Sequence, residues 1–362
     1  MRTNRLIRGS TVIAALAVCT GLLATAPAVA QVPSTSGAMS AAEPAPEPEP
    51  TEEPDAEPVT PPPLDPLPDP DPEELDDPLQ ELDPTPEQDV EAPVDTLAAP
   101  ARANSKTRPT VFIHGWNRSA NTNCSTTWAA AKNVLRDKGF TGRFVTFGYY
   151  GGNTLCDYKF AGTTDTRIQE VGRKLAWYVN SLWNQYHKPV DIVAHSMGGL
   201  VARAAIEGVN RYGGGSDGKW PARLYIEDVV TLGTPHAGSN WATACAPTHE
   251  QCSDMRPGSG FLEWLSYNPR SQMGTEYTAI ASDHDERVGR KSATNNWRAD
   301  NWVTFSQSTT GSIMNHSALR TTKTGTWCGV YRWENMDASK TSCNGVPPLQ
   351  RAALALYYQD NR

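Results

Sequence analysis

The stretch VDIVAHSMGGLVARAAIEG, residues 190–208, decides the fold because it joins a buried strand to a helix through a tight turn. VDIVAH is mostly apolar and β-branched, which is typical of a buried strand, and GGLVARAAIEGV has helical apolar spacing. The small residues Ala194 and Gly198 flank Ser196, so the turn can be sharp enough to present the serine as a nucleophile. Ser196 alone has a second interpretation, as an ordinary helix-capping serine.

The rest of the chain repeats the alternation of strand and helix. Strands are predicted at residues 108–115, 143–150, 189–195, 225–238, 276–282 and 301–305, and helices at 126–139, 163–187, 198–209 and 347–359. This order predicts an α/β fold with a mostly parallel central sheet and helices on both faces. Function in such folds lies at the carboxyl ends of strands. His114, Ser196, His236 and Asp285 are expected there.

A serine nucleophile needs a base that is oriented by a third group. In this kind of fold the partners follow the serine in the order acid, then histidine. His316 is the late histidine that follows a credible acid, although by itself it could be a plain loop histidine. The acid comes from SDHDERVG, where Asp283 and Asp285 both follow a strand. We take Ser196, Asp285 and His316 as the predicted triad.

The reaction also needs two N–H donors for the oxygen of the tetrahedral intermediate. The backbone N–H of Met197, directly after the nucleophile, is one candidate. The other is the N–H of Trp116 in FIHGW, in the loop after the first strand. Gly115 lets this loop approach the serine closely, because glycine has no side chain.

The first 30 residues have the layout of a secretory signal peptide. Three arginines precede an apolar run over residues 12–23, and small residues at Ala28 and Ala30 predict cleavage after Ala30. Lipid attachment at Cys19 is the alternative, but Val18 stands where a small residue is expected. No later run of about 20 apolar residues could span a membrane. We expect a secreted, extracellular protein.

Residues 31–104 are predicted to be disordered, because they hold few large apolar residues but 19 prolines and 20 acidic residues. The remaining 258 residues, 105–362, are expected to form one large α/β domain with 28 Lys and Arg against 20 Asp and Glu. The acidic segment could cover this basic domain until proteolysis removes it. It could equally be a cell-wall spacer or a solubilising tail.

Six cysteines remain after the signal peptide, and an even number in an exported chain predicts three disulfides. They are Cys124, Cys156, Cys245, Cys252, Cys328 and Cys343. Sequence does not choose among the pairings, and we favour sequential pairing because it closes two short loops. The chain has no C-x-x-C pair and no nucleic-acid-binding motif. We expect no metal and no cofactor, and a monomer.

VFIHGW, AHSMGGLVAR, LGTPHAGS and DERV, in this order, resemble the secreted bacterial class 2 lipases of the α/β-hydrolase fold. The resemblance covers about residues 109–319. It implies the triad Ser196, Asp285 and His316, oxyanion amides at Trp116 and Met197, and hydrolysis of carboxylic esters of lipids. It favours Asp285 over Asp283, because the family's acid stands three residues before an apolar residue. It also implies a structural role beside the site for His236.

Function is therefore expected to be that of a triacylglycerol lipase or carboxylesterase, acting on an ester substrate that can lie at a lipid–water interface. A polyester or phospholipid hydrolase with the same triad is the near alternative, and a non-catalytic surface binding module is the distant one. Residues 240–273 form either an acyl groove or partial lid, or a packed loop held by cysteines. Both interpretations rest on a cluster of apolar residues in this segment, which are Phe261, Leu262, Trp264, Leu265 and Tyr267.

Overall fold

The computed structural model of the chain describes residues 99–358. The predicted signal peptide, residues 1–30, and most of the predicted acidic segment, residues 31–104, lie outside the described residues. Within the described part, no helix combines the length and the apolar character needed to cross a membrane.

Nine strands form a single sheet within residues 99–358. They are β1 Thr110–Ile113, β2 Phe144–Gly148, β3 Tyr158–Lys159, β4 Val190–His195, β5 Ile226–Leu232, β6 Glu276–Ser282, β7 Asn301–Ser308, β8 Trp327–Arg332 and β9 Lys340–Gly345. Their spatial order is β3-β2-β1-β4-β5-β6-β7-β8-β9. The strands from β3 to β7 are parallel, and β8 and β9 extend the sheet as antiparallel neighbours. This arrangement confirms the predicted α/β-hydrolase fold class.

Helices cover both faces of the sheet. The helices are α1 Cys124–Asp137, α2 Ile168–Tyr186, α3 Met197–Tyr212, α4 Asn240–Cys245, α5 Glu250–Met255, α6 Gly260–Trp264, α7 Arg290–Ala293 and α8 Pro348–Ala355. Successive residues of a strand point to opposite faces, so β1 contributes to two cores. Val111 and Ile113 belong to the core under α2 and α3. Phe112 belongs to the core under α1 and α8, with its ring 5.3 Å from that of Trp128.

The hairpin of β8 and β9 was not predicted from the sequence. Strand β9 is largely exposed, so its residues show no alternation of apolar and polar side chains. Its position depends on pairing with β8, where Tyr331 lies opposite Lys340, and on the disulfide between Cys328 and Cys343. Neither relation is visible as a local pattern.

Two residues just before the predicted boundary at residue 104 contact the sheet. Arg102 forms an ion pair with Glu276 in which Nη2 lies 2.7 Å from Oε2, and the Ala103 N–H donates to Glu227 Oε1 at 2.8 Å. The carboxylates belong to β5 and β6 at the amino end of the parallel strands. These carboxylates hold Arg102 and Ala103 against the sheet.

A buried ionic cluster continues along this amino edge of the sheet. The Arg108 guanidinium lies 2.9 Å from Asp191 Oδ1, 3.0 Å from Glu227 Oε2 and 3.2 Å from Asp228 Oδ2. Three carboxylates thus share one buried arginine, and burial raises the pKa of Asp191 to about 7. The cluster lies at the opposite edge of the sheet from Ser196, so its role is structural.

Candidate active site

Ser196 occupies the turn between β4 and α3 with φ 54° and ψ −129°. A positive φ is uncommon for a residue other than glycine and is kept only where the surroundings enforce it. The serine makes no side-chain capping hydrogen bond to α3, so the helix-capping interpretation is not realised. The turn instead presents a half-buried hydroxyl at the carboxyl end of the sheet.

The structure brings His316 and Asp285 together. His316 Nδ1 lies 2.8 Å from Asp285 Oδ2, and the two side chains are 2% and 0% exposed. The other carboxylate oxygen of Asp285 accepts the backbone N–H groups of Arg287 at 2.9 Å and Val288 at 2.8 Å. The carboxylate is thereby held in one orientation, with one oxygen for the backbone and one for the imidazole.

Asp283, the competing acid, has other partners. Its Oδ1 accepts from Thr304 Oγ1 at 3.0 Å and from Arg290 at 3.3 Å. Asp283 and Asp285 therefore differ in what their carboxylates contact, although both follow β6. The contact with His316 belongs to Asp285.

Two further residues hold the His316 backbone, and the sequence analysis did not identify either. Glu286 Oε2 accepts the N–H of His316 at 3.0 Å, and His195 Nε2 lies 3.1 Å from the His316 carbonyl oxygen. A carbonyl only accepts, so His195 donates from Nε2. Burial and the nearby His316 hold the pKa of His195 well below its usual value, which keeps the ring neutral. In the sequence, Glu286 directly follows Asp285 and His195 directly precedes Ser196. This adjacency could have identified them as candidate site residues.

Gly115 lies directly against Ser196, and Trp116 lines a small cavity with it. A Cβ atom built on Gly115 would come within 2.7 Å of Ser196 Cβ, so any larger residue would displace the loop. In the described part of the chain, the N–H groups of Trp116 and Met197 donate to no carbonyl of a turn, loop or helix cap. Both donors are thus available beside Ser196.

His114 fixes the loop that carries Trp116. Its Nε2 accepts from Asn153 Nδ2 at 2.7 Å, which leaves Nδ1–H to donate to the Gly115 carbonyl at 2.8 Å. The Tyr149 hydroxyl donates to the His114 carbonyl at 2.7 Å. Burial lowers the pKa of His114 to about 4, so the neutral tautomer that makes both bonds persists at neutral pH.

His236 lies in the loop after β5 and is fully engaged. Its Nε2 is 3.0 Å from Thr231 Oγ1, and its carbonyl accepts from Arg203 Nη1 at 3.0 Å. Arg203 also donates to the Ser266 carbonyl at 2.7 Å. The contacts tie the loop to α3 and to the segment after α6, and none of them reaches Ser196.

The six cysteines form three disulfides, and their pairing is the sequential one. The pairs are Cys124 with Cys156, Cys245 with Cys252, and Cys328 with Cys343. The first begins α1 next to the loop of Trp116. The second joins α4 to α5 at the rim of the site.

Residues 240–273 were expected to form either an acyl groove or partial lid, or a packed loop, and different parts of the segment behave differently. Phe261 and Leu265 are buried in the core under α2 and α3, so this part is a packed loop rather than an acyl groove or lid. The side chain that does reach the site is Trp241, whose ring centre lies 5.3 Å from that of Trp116. The two rings form an apolar wall beside Ser196.

An open cavity of about 680 Å³ is lined by both Ser196 and His316. A second, much smaller cavity of about 20 Å³ adjoins Ser196 between Trp116, Met255 and Val288. Ser196, His316 and the Trp116 loop therefore face one solvent-accessible space, as an attacking hydroxyl, its base and two oxyanion donors require.

Comparison with known proteins places these features in a family. The family model of class 2 lipases matches residues 107–326, which is more than half of the chain. None of the curated proteins matches the chain at a significant level.

The solved structures to which this chain is similar include several lipases. The mature form of Bacillus licheniformis lipase BlEst2 is 21% identical, with a TM-score of 0.35 over 54% of this chain and 73% of its own. Its propeptide form is 17% identical, with a TM-score of 0.39 over 63% and 54%. Aspergillus fumigatus lipase B is 15% identical, with a TM-score of 0.37 over 58% and 50%. This chain thus spans about half the length of the last two. By the family match, the chain belongs to the class 2 lipases.

Proposed function

We propose that the protein is an exported serine hydrolase that cleaves carboxylic esters of lipids through an acyl-enzyme on Ser196. Triacylglycerols are the substrate class that we propose. The observation that carries the proposal is the buried contact of 2.8 Å between His316 and Asp285, beside a cavity that His316 shares with Ser196.

In the first half of the reaction, Ser196 attacks the ester carbonyl and His316 accepts its proton. Because Nδ1 of His316 is held by Asp285, Nε2 is the nitrogen that acts as the base. The carbonyl oxygen becomes negatively charged and accepts the N–H groups of Trp116 and Met197. Collapse of this intermediate breaks the ester C–O bond, and His316 gives its proton to the departing alcohol.

In the second half, water takes the place of the alcohol. His316 removes a proton from water, and the hydroxide attacks the acyl-serine carbonyl. The same two N–H groups stabilise the second tetrahedral intermediate. Its collapse returns the proton from His316 to Ser196 and releases the carboxylic acid.

The test is Ser196→Ala in the exported chain. We expect normal folding and a loss of ester hydrolysis by several orders of magnitude, because the nucleophile is gone. Labelling by a fluorophosphonate probe should also disappear. Ser216→Ala is the matched control, since Ser216 is exposed beyond the far end of α3. Retained hydrolysis in Ser196→Ala would contradict the proposal.

Substrate class and export are tested separately. Relative rates on tributyrin, triolein, phosphatidylcholine and a polyester film separate the lipase from its phospholipid and polyester alternatives. Amino-terminal sequencing of the secreted protein should begin at Gln31. Three disulfides fit an oxidising compartment.

The role of the acidic segment is part of the same proposal. Residues 31–362 should be compared with a chain that begins at residue 99, because Arg102 contacts Glu276 and must be kept. A segment that covers the basic domain lowers the rate at low salt and loses this effect at high salt. Equal rates at both salt concentrations identify a spacer or solubilising tail.

A further inference from the structure

Three arginines line the cavity over Ser196. Arg118, Arg287 and Arg320 all line it, and among the described residues of its wall there is no Asp or Glu. A cavity for an uncharged triacylglycerol gains nothing from three arginines. A cavity lined by charges of one sign instead concentrates ligands of the opposite charge.

Arg320 is the most constrained of the three. It is half-buried in the turn Ala318–Arg320, and its Nη1 donates to the Thr127 carbonyl at 3.2 Å. Within residues 99–358 it forms no ion pair, and burial alone lowers its pKa. A guanidinium that has lost water without gaining an anion has unused donors, which suit the oxygens of phosphate or carboxylate.

The other two arginines extend the charge to the rim. The Arg118 side chain is exposed and makes no ion pair in the described part of the chain. Arg287 lies 3.6 Å from Glu286, and its guanidinium is 5.3 Å from the centre of the Trp241 ring. The three arginines thus line one cavity, and Arg118 is the one that is exposed to solvent.

The position of Arg320 indicates which half of an ester would meet it. His316 protonates the leaving alcohol, so the alcohol departs on the His316 side of the site. Arg320 follows His316 by four residues and lines the same cavity. The small cavity beside Ser196 is lined mainly by apolar residues, among them Trp116, Met255 and Val288, and of the three arginines it meets Arg287 but neither Arg118 nor Arg320.

We propose that this site selects esters whose alcohol part carries an anionic group, such as an acylglycerol phosphate. The inference rests on the proposed ester hydrolysis and specifies its substrate class. Arg320 and Arg118 would act as specificity determinants that bind the anion. They take no part in bond making or breaking.

Three soluble esters that differ at one position test the inference. They are 1-butyrylglycerol, its 3-phosphate and its 3-phosphocholine, hydrolysed by the exported chain. We expect kcat/KM for the phosphate to exceed that for the neutral ester by about tenfold, with the zwitterionic ester close to the neutral one. The preference should shrink between 0.01 and 1 M salt, because the Debye length falls from about 30 Å to about 3 Å.

Charge-removing variants locate the effect. Arg320→Gln should lower the ratio of phosphate to neutral kcat/KM by about tenfold, as expected for one lost charged hydrogen bond. Arg118→Gln should lower it less, by about threefold, because the side chain is exposed. Lys138→Gln is the matched control, since it removes the same charge at the far end of α1 and should leave the ratio unchanged.

The outcomes distinguish the two proposals. Hydrolysis of all three esters at equal rates contradicts the anion preference and leaves the proposed function intact. A preference that neither arginine variant reduces, or that Lys138→Gln reduces equally, also contradicts it. Failure to hydrolyse any ester contradicts the proposed function and the inference together.

Discussion

Replacement of Gly115 by alanine tests the oxyanion site without touching a catalytic side chain. The new Cβ would lie 2.7 Å from Ser196 Cβ, 3.2 Å from His195 Nδ1 and 3.3 Å from the His195 carbonyl oxygen. Carbon atoms in contact are normally separated by about 3.5 Å or more. The loop must therefore retreat from Ser196 by roughly 0.8 Å, and His195 blocks a sideways adjustment.

Such a displacement carries the Trp116 N–H out of hydrogen-bond range. A bond of about 2.9 Å would lengthen beyond about 3.5 Å, where its contribution is largely lost. Loss of one oxyanion donor costs about 10²- to 10³-fold in kcat, or about 3–4 kcal/mol. We expect KM to change little, because the donor acts chiefly on the charged intermediate.

The assay is steady-state hydrolysis of p-nitrophenyl butyrate, together with thermal unfolding of each variant. Gly260→Ala is the matched control, because a Cβ on Gly260 has no neighbour within 4 Å. It should keep the kcat of the unchanged protein. A folded Gly115→Ala protein with kcat within about threefold of the unchanged protein would refute the assignment of Trp116 to the oxyanion site.

Three further predictions concern the acid of the triad and the buried ionic cluster. Asp285→Asn should lower kcat by about 10⁴-fold, because Asp285 is the aspartate that contacts His316. Asp283→Asn should change kcat by less than about tenfold. Equal losses of kcat in the same esterase assay would contradict this difference. Arg108→Met should lower the free energy of unfolding by about 3–5 kcal/mol, since it strands buried carboxylates, and denaturant titration measures the loss. The pKa of Asp191 is raised to about 7, so the folded chain holds a proton that the unfolded chain has lost above about pH 4. The Tm should therefore fall as pH rises from 5 to 8, and the fall should be smaller in Asp191→Asn. If the Tm of Asp191→Asn falls as steeply with pH as that of the unchanged protein, other groups cause the pH dependence.

Local sequence patterns were sufficient to predict most strands of the sheet. The strand predicted at residues 276–282 is β6 as observed, and the strand and helix around Ser196 are β4 and α3. These elements have continuous apolar runs or helical spacing, because they are buried on one or both faces. The edge hairpin of β8 and β9 lacks such a signal. The short helices α4 to α7 also escaped prediction, since each is held mainly by its neighbours.

The chain order of Ser196, Asp285 and His316 was available from the sequence because this kind of fold fixes it. The contacts that orient them were not. Glu286 and His195 hold the His316 backbone through bonds between residues that are up to 121 positions apart. His114 likewise reaches Asn153 across 39 positions. Such pairings exist only once the sheet brings the strand ends together.

The sequence by itself determined the α/β class, the strand-to-helix turn at Ser196 and the residues that we propose for catalysis, because these depend on local spacing and on chain order. Tertiary structure decided which aspartate contacts His316, that Phe261 and Leu265 pack inward while Trp241 faces the site, and that the cavity wall is cationic. These properties depend on distances between remote segments, and such distances are set by the packing of helices on a common sheet rather than by any one stretch of residues.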